Sequence, residues 1–180
     1  MAATPLDADA RWALVEAIHA TDVRLVAYVT GGGIASITDL LTVPDASRTV
    51  LDVRVPYSVT ALSELIGSAG RDGDDVIGAV SATTAATMAT RAHEAASRLD
   101  TAATVIGVSC TAALVTARER RGDDRAHIGV CDGFEVTTST IGPDEFTSAM
   151  TRQEQDRIVS DHLLVAMARS CGVMPVDGLL

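Results

Sequence analysis

Apolar residues recur along the chain with two periods, which divide it into alternating helices and strands. A spacing of three residues, as in Trp12, Val15 and Ile18, is typical of one face of an α-helix. Short apolar or alternating runs are typical of strands. The first pattern predicts helices over 9–20, 34–41, 59–66, 81–99 and from 143 to about 170. The second predicts strands over 25–29, 50–56, 104–108, 127–131 and 134–140.

Local signals refine these elements. Residues 50–56 alternate between apolar and polar side chains, which predicts a half-buried strand, antiparallel or near a sheet edge. Asp132-Gly133 predicts a two-residue hairpin turn before the last strand. Residues 70–75 have the composition of a polar loop, and Gly172 is a candidate C-cap of the last helix.

Strands that alternate with helices, together with one hairpin, predict an α/β fold. We expect one three-layer α/β/α domain over residues 1–180, with a mixed, mostly parallel sheet. Its core spans about 9–173, and residues 174–180 form a loose tail. A chain of 180 residues is long enough to bury such a core.

A glycine-rich turn, Thr30-Gly31-Gly32-Gly33, joins the first predicted strand to the next helix. Backbone N–H groups at a helix N-terminus attract anions, and glycine allows a ligand to approach the backbone closely. Ser109-Cys110-Thr111 follows another predicted strand. Because ligands of open α/β sheets bind at the carboxyl ends of the strands, we expect these two turns to form opposite walls of one pocket.

Two other interpretations of the glycine turn remain open. Gly31, Gly33 and Ser36 nearly match the dinucleotide pattern G-x-G-x-x-G, and Asp52 follows at a suitable distance. Serine at the third position and the placement of Asp52 within a strand disfavour that site. The turn could also serve only the packing of a helix against a strand.

Charge and composition exclude several classes of function. The net charge is −10, which disfavours nonspecific binding to nucleic acid or to an anionic membrane. All 14 basic residues are arginine, so the chain offers no P-loop lysine, Schiff-base lysine or Ser/Lys dyad. Three separated cysteines predict neither a disulfide scaffold nor a metal site. The sequence shows neither a signal-peptide pattern nor a membrane span, which predicts a cytoplasmic protein.

Other side chains are candidates for binding or chemistry. Arg118, Arg120, Arg121 and Arg125 either form a solvated loop or supply a guanidinium group that holds phosphate. Cys110 could act as a nucleophile with His127, or could be an inert packing residue.

The chain resembles the CinA C-terminal domain family, whose characterised members are nicotinamide-nucleotide amidohydrolases (NMN deamidases). The resemblance covers about residues 9–173, and the order and spacing of several short segments carry it. These segments are Val29-Thr30-Gly31-Gly32, Val43-Pro44-Asp45-Ala46-Ser47, Val55-Pro56-Tyr57-Ser58, Gly78-Ala79-Val80-Ser81 and Gly107-Val108. The arginine-bearing segment 111–127 differs from the Gly/Pro-rich loop of ordinary members and indicates a divergent branch.

The resemblance also implies which positions would carry catalysis. The family's serine belongs to E-S-C-T-G-G and its lysine to Y-S-N-E-A-K. These motifs fall on residues 27–32 and 57–62, which places Tyr28 at the serine and Leu62 at the lysine. Both dyad members are therefore absent, whereas the residues implied in binding remain.

Two functions follow as hypotheses. In the first, the chain binds a pyridine nucleotide or another ribosyl-phosphate compound and hydrolyses it without the dyad. In the second, it is a nucleotide-binding sensor or partner subunit without catalysis. The candidate catalytic residues are Thr30, Cys110 and Thr111, and the candidate substrate-binding residues are Tyr28, Gly31, Gly32, Gly33, Arg48, Tyr57, Ser58, Ser109 and Arg118. We expect no metal, no cofactor, and assembly into a homo-oligomer.

Overall fold

A computed structural model describes residues 6–67, 71–72, 75–76, 78–117 and 122–174. The helices are α1 (Ala8–His19), α2 (Ile34–Thr42), α3 (Ala46–Thr49), α4 (Val59–Ile66), α5 (Ala82–Leu99) and α6 (Arg152–Ser170). The strands are β1 (Val23–Thr30), β2 (Val50–Arg54), β3 (Arg71–Asp72), β4 (Asp75–Val76), β5 (Thr104–Ala113), β6 (Arg125–Cys131) and β7 (Val136–Ile141).

The main sheet has five strands in the order β2-β1-β5-β6-β7. β1 pairs parallel with both β2 and β5, whereas β6 pairs antiparallel with both β5 and β7. All of these strands except β6 therefore run in one direction. The predicted mixed α/β sheet is confirmed, and β2 lies at an edge as its alternating pattern indicated.

Helices cover both faces of this sheet because its strands carry apolar side chains on both sides. The larger core lies between the sheet and helices α1, α2 and α6, with Leu25, Val29 and Leu163 fully buried. The smaller core lies beneath α4 and α5. The alanine-rich face of α5 allows that helix to lie close to the sheet. Two helical layers around one sheet form the expected three-layer arrangement.

Several predicted boundaries were wrong. β5 does not end at Val108 but continues to Ala113, because residues 109–113 pair with β6 and most of them also with β1. The turn between β6 and β7 spans residues 132–135 rather than two, with the Asp132 carboxylate accepting hydrogen bonds from the N–H groups of Phe134 and Glu135. The region predicted as a loop at 70–75 contains the antiparallel pair β3 and β4.

The last helix also begins later than predicted. Pro143 opens only a short 3-10 helix, Pro143–Glu145, and α6 starts after the capping box of Thr151 and Glu154. At its other end, Gly172 has a left-handed φ of 76°, and Val173 donates to the Ala168 carbonyl oxygen, which confirms the predicted glycine cap. Residues 175–180 of the predicted loose tail lie outside the described residues.

No helix within the described ranges is long and apolar enough to cross a bilayer. Nor do three His, Cys, Asp or Glu side chains of those ranges gather closely enough to hold a metal ion.

Candidate functional site

A small cavity lies at the edge of the sheet where β1, β2 and β5 end. Its volume is about 160 Å³. Thr30 and Thr111, directly paired across β1 and β5, form its floor. The remaining lining residues are Gly31, Pro56, Tyr57, Ser58, Val59, Leu62, Ala79, Val80 and Ala112. Of the two turns predicted to form opposite walls of one pocket, only Thr30, Gly31 and Thr111 line this cavity, and Thr30 and Thr111 lie side by side on paired strands.

Hydrogen bonds from the floor hold two loops in place around the cavity. The Thr30 hydroxyl donates to the Pro56 carbonyl oxygen at 3.0 Å, and the Thr111 hydroxyl donates to the Ala79 carbonyl oxygen at 2.6 Å. Ser58 caps α4 by accepting a hydrogen bond from the Ala61 N–H at 3.1 Å. The side-chain oxygens of Thr30 and Thr111 can therefore still accept hydrogen bonds, although their protons are used.

A wider cleft of about 410 Å³ adjoins the cavity. It shares Gly31 and Tyr57 with the inner cavity and is otherwise lined by Ile34, Arg152, Gln153 and Asp156. The Tyr57 side chain is 69% exposed and lines both spaces. A ligand that fills the inner cavity would therefore continue past this ring into the cleft.

The glycine turn packs tightly against the end of β5. Gly31 has a φ of 79°, and a Cβ atom there would lie only 1.9 Å from the Ala112 carbonyl oxygen. This contact supports the packing interpretation of the turn, since any side chain at Gly31 would collide with backbone.

The N-terminus of α2 is already occupied by a carboxylate of the chain itself. The Asp156 side chain accepts hydrogen bonds from the N–H groups of Gly33, Ile34 and Ala35 at 2.8, 3.2 and 3.1 Å. Arg152, one turn earlier on α6, donates to the Gly31 carbonyl oxygen at 2.7 Å. Asp156 therefore satisfies these donors, and the anionic ligand predicted over this helix end would have to displace that carboxylate.

Asp156 and Arg152 escaped the sequence prediction because they lie more than a hundred residues from the turn. One local feature of the sequence indicated that a distant residue must cap α2. The N-cap position of α2 is Gly33, which has no side chain to cap the helix, so an acceptor had to come from elsewhere in the fold.

Cys110 does not reach the cavity. Its thiol is fully buried in the larger core, and burial raises its pKa far above the ordinary value. In the pairing of β5 with β6, His127 lies opposite Thr111, so Cys110 projects from the other face of the sheet. The predicted Cys110–His127 pair is therefore not formed. The His127 Nδ1 atom instead lies 2.9 Å from the Thr140 hydroxyl oxygen.

The prediction that Ser109 lies in a turn was also wrong, because β5 continues past it to Ala113. The Ser109 side chain is buried, and its hydroxyl donates to the Ala85 carbonyl oxygen of α5 at 2.6 Å. It links a strand to a helix and does not line the cavity.

The two positions that the resemblance assigns to the dyad hold a tyrosine and a leucine. The ring of Tyr28 lies 5.7 Å from the Arg54 guanidinium and also lines a separate pocket of charged residues. Tyr28 and Leu62 belong to one buried cluster with Val26, Ile66 and Met88. Burial raises the pKa of the Tyr28 hydroxyl. The buried Tyr28 ring thus occupies the position of the nucleophile, and the aliphatic Leu62 side chain occupies the position of its base.

Of the predicted arginines, the structure describes Arg48 and Arg125, and neither is among the residues that line the cavity. Arg48 lines a separate pocket of about 530 Å³ at the amino ends of β1 and β5, together with Arg24 and Asp100. Arg125 instead donates to the Val80 carbonyl oxygen at 3.4 Å and so supports one wall of the cavity. Arg118, Arg120 and Arg121 lie outside the described residues.

Among the described residues that line the cavity, none is a carboxylate, an imidazole or a thiol. This lining contains hydroxyl, carbonyl and apolar groups. Tyr57 carries the one ionisable group among these lining residues. The arrangement can accept and donate hydrogen bonds to a small molecule, but it does not pair a nucleophile with a base.

Solved structures with the same fold are CinA superfamily proteins. A CinA superfamily protein from Escherichia coli is 18% identical, with a TM-score of 0.69 over 94% of each chain. A competence/damage inducible protein from Agrobacterium tumefaciens is 17% identical, with a TM-score of 0.71 over 94% of this chain and 99% of that one. A CinA superfamily protein from Enterobacter cloacae is 16% identical, with a TM-score of 0.66 over 90% of each chain.

No protein-family model matches the sequence, and no curated protein is significantly similar to it. The comparisons therefore confirm the resemblance stated from the sequence at the level of the fold.

Proposed function

We propose that this chain is a diverged CinA-type protein that binds a nucleoside or nucleotide without hydrolysing it. The observation that supports the proposal is the lining of the Thr30–Thr111 cavity, whose described residues offer hydroxyl and carbonyl groups but no Asp, Glu, His or Cys. The apolar packing of Tyr28 and Leu62 supports it, because those positions would supply the nucleophile and base of the related amidohydrolases.

The shape of the site supports a ligand in two parts. The inner cavity of about 160 Å³ is smaller than the pockets of about 300–1,000 Å³ that hold drug-sized ligands. It suits a single planar ring, such as nicotinamide or a nucleobase, and Thr30 and Thr111 supply hydroxyl oxygens for its polar edge. The adjoining cleft of about 410 Å³ would take a ribose.

The charge of the site favours recognition of the ring over recognition of a phosphate. Asp156 occupies the helix N-terminus, and Arg152 is bound to backbone carbonyl oxygens. A phosphate near Asp156 would be repelled by its carboxylate. We therefore expect a nucleoside such as nicotinamide riboside to bind at least as tightly as its 5′-phosphate.

Binding and turnover can be measured on the same samples. The purified chain is incubated with NMN, nicotinamide riboside or nicotinamide; thermal unfolding is recorded, and products are followed by mass. Ligand at about 100 times its dissociation constant should stabilise the folded chain by about 2.7 kcal/mol, with no product formed. Turnover that exceeds the rate without protein would contradict the non-catalytic proposal.

A matched pair of variants tests the location of the site. Tyr57→Ala removes the exposed ring beside the cavity and should abolish the thermal shift. Phe134→Ala removes an aromatic ring that is 98% exposed in the turn between β6 and β7, and should leave the shift unchanged. Equal shifts in both variants, or no shift in the wild type with any of the three compounds, would contradict the proposed site.

A further inference from the structure

We propose that a pocket formed by β1, β2, α4 and α5 is a separate binding site, which holds the phosphate group of a small molecule. This space, the Tyr28 pocket, has a volume of about 330 Å³. Its described lining residues are Tyr28, Arg54, Glu64, Leu65, Gly67, Arg91, Glu94 and Arg98. None of these residues lines the Thr30–Thr111 cavity, so the proposal does not depend on the function proposed above.

Tyr28 is the most deeply buried of the residues that line this pocket. It is only 2% exposed, yet its hydroxyl forms no hydrogen bond within the described part of the chain. Burial raises the pKa of this hydroxyl, so it is protonated at neutral pH and can donate a hydrogen bond. Because buried polar groups in proteins are nearly always hydrogen-bonded, this hydroxyl indicates that the pocket receives an acceptor from outside the chain.

Three arginine side chains line the Tyr28 pocket. The Arg54 guanidinium carbon lies 5.7 Å from the centre of the Tyr28 ring. Arg98 lies in the last turn of α5, and Arg91 lies two turns earlier on that helix. Within the described residues, Arg98 has neither an ion pair nor a hydrogen bond. Guanidinium groups bind phosphate strongly, and the several oxygens of a phosphate can contact more than one arginine at once.

The other two arginines are paired with carboxylates, but each pair uses a single nitrogen atom. The Arg54 Nε atom lies 2.9 Å from a carboxylate oxygen of Asp52, and an Arg91 terminal nitrogen lies 2.9 Å from one of Glu94. A guanidinium group carries five N–H donors, so both arginines retain donors for a ligand. Both pairs are also open to solvent, where ion pairs contribute little. A phosphate can therefore bind without a large loss of existing contacts.

The carboxylates of the Tyr28 pocket limit which anions it can hold. Glu64 and Glu94 lie in the lining beside the arginines and would repel a second charged group on the ligand. They can accept hydrogen bonds from ligand hydroxyl groups instead. The volume of about 330 Å³ is at the lower end of the range of about 300–1,000 Å³ for small-molecule pockets. These features favour free phosphate or a small phosphate monoester over a diphosphate or triphosphate.

The two tyrosines of the chain allow the site to be located by NMR with isotope-labelled tyrosine. Tyr28→Phe assigns the signals of Tyr28, and the remaining signals belong to Tyr57. Glycerol 3-phosphate or inorganic phosphate should shift the Tyr28 signals and leave those of Tyr57 unchanged. Tighter binding of glycerol 3-phosphate would identify the ligand as a monoester, and equal affinities would identify it as free phosphate.

Sodium chloride at the same ionic strength is the control for a general effect of salt, and it should shift neither tyrosine. The proposal would be overturned if millimolar phosphate left the Tyr28 signals unchanged. A shift confined to Tyr57, or an equal shift of Tyr28 by chloride, would overturn it as well.

A matched pair of arginine variants tests the charge of the pocket by calorimetry. Arg98→Ala should weaken phosphate binding about tenfold, because a charge-assisted hydrogen bond is lost. Arg169→Ala removes the same charge from an exposed position on α6, on the opposite face of the sheet, and should keep the affinity. Equal affinities of these two variants for phosphate would overturn the proposal.

Tyr28→Phe tests the hydroxyl separately, because it keeps the ring that packs in the smaller core. It should weaken phosphate binding about threefold, as expected for the loss of one hydrogen bond from an uncharged donor. An unchanged affinity would contradict the assignment of Tyr28 to the site.

This site and the Thr30–Thr111 cavity can fail separately. Nicotinamide riboside should shift the signals of Tyr57, which lines the cavity, and not those of Tyr28. Arg98→Ala should keep the thermal shift that depends on Tyr57, and Tyr57→Ala should keep the affinity for phosphate. Loss of both ligands in either variant would contradict two separate sites.

Discussion

The two sides of the glycine turn have opposite chemical character. On one side, α6 brings Asp156 and Arg152 to the turn, and these charged groups bind its backbone N–H and C=O groups. On the other side, the turn borders a cavity of hydroxyl and apolar groups. The charged side is occupied by the chain itself, and the uncharged side remains open.

This difference separates structural groups from groups that can recognise a ligand. A glycine-rich turn before a helix suggests an anion site, but a helix N-terminus can be satisfied equally well by an internal carboxylate. On the uncharged side, the hydroxyls of Thr30 and Thr111 donate to loop carbonyl oxygens, and their oxygens keep the capacity to accept a hydrogen bond.

The largest expected effect is that of Gly31→Ala on stability. The Cβ atom would collide with the Ala112 carbonyl oxygen, and the left-handed φ of 79° would be strained. We expect a loss of about 3 kcal/mol or more in the free energy of unfolding by urea. Gly172→Ala is the control, because its φ of 76° is similar but no atom lies within 4 Å. It should cost about 1 kcal/mol. Equal losses would show that the contact with Ala112 is not tight.

Asp156→Ala should have the next largest effect. Three N–H groups at the start of α2 lose their acceptor, which should lower the free energy of unfolding by about 2 kcal/mol. Asp144→Ala, at an exposed position, should change it by less than about 0.5 kcal/mol.

The Asp156→Ala variant should also convert the charged side of the turn from an occupied site into an open one. With the internal carboxylate removed, inorganic phosphate should bind the freed helix end and stabilise Asp156→Ala more than the wild type. Equal stabilisation of both proteins by phosphate would show that Asp156 does not block an anion site.

Thr111→Val tests the role of a hydroxyl group on the uncharged side of the turn. It removes the hydrogen bond of 2.6 Å to the Ala79 carbonyl oxygen while keeping the branched shape of the side chain. The free energy of unfolding should fall by about 1 kcal/mol, and the thermal shift by nicotinamide riboside should be lost. Thr137→Val, on the exposed β7, should preserve both quantities. An unchanged ligand shift in Thr111→Val would remove this hydroxyl from the site.

The smallest effect concerns pH and the start of α6. Hydrogen bonds from the N–H and hydroxyl of Thr151 lower the pKa of Glu154 below its ordinary value. A lowered folded-state pKa stabilises the fold above the unfolded pKa, and this contribution disappears as the pH falls through the folded pKa. Glu154→Gln keeps an acceptor but does not titrate. The difference in stability between wild type and Glu154→Gln should therefore shrink on acidification, and a constant difference would contradict this.

The sequence was sufficient to predict the order of the main elements and the fold. The positions of α2, α4 and α5 agree closely with the apolar periods, because each helix buries one face and its pattern records that burial locally. The short segments that resemble the CinA family also predicted the fold that the solved structures confirm. A cytoplasmic location remains a prediction of the sequence.

The sequence by itself also determined what the chain cannot contain, since lysine is absent and both dyad positions are substituted. The tertiary structure alone decided which polar groups remain available to a ligand. Asp156 reaches α2 across 123 residues of sequence, and Cys110 is separated from His127 by the pleat of β5. Local patterns record whether a side chain is buried, but hydrogen bonds between distant segments arise only when the elements pack. The position of the glycine turn could therefore be predicted from the sequence, whereas the Asp156 carboxylate that binds it could not.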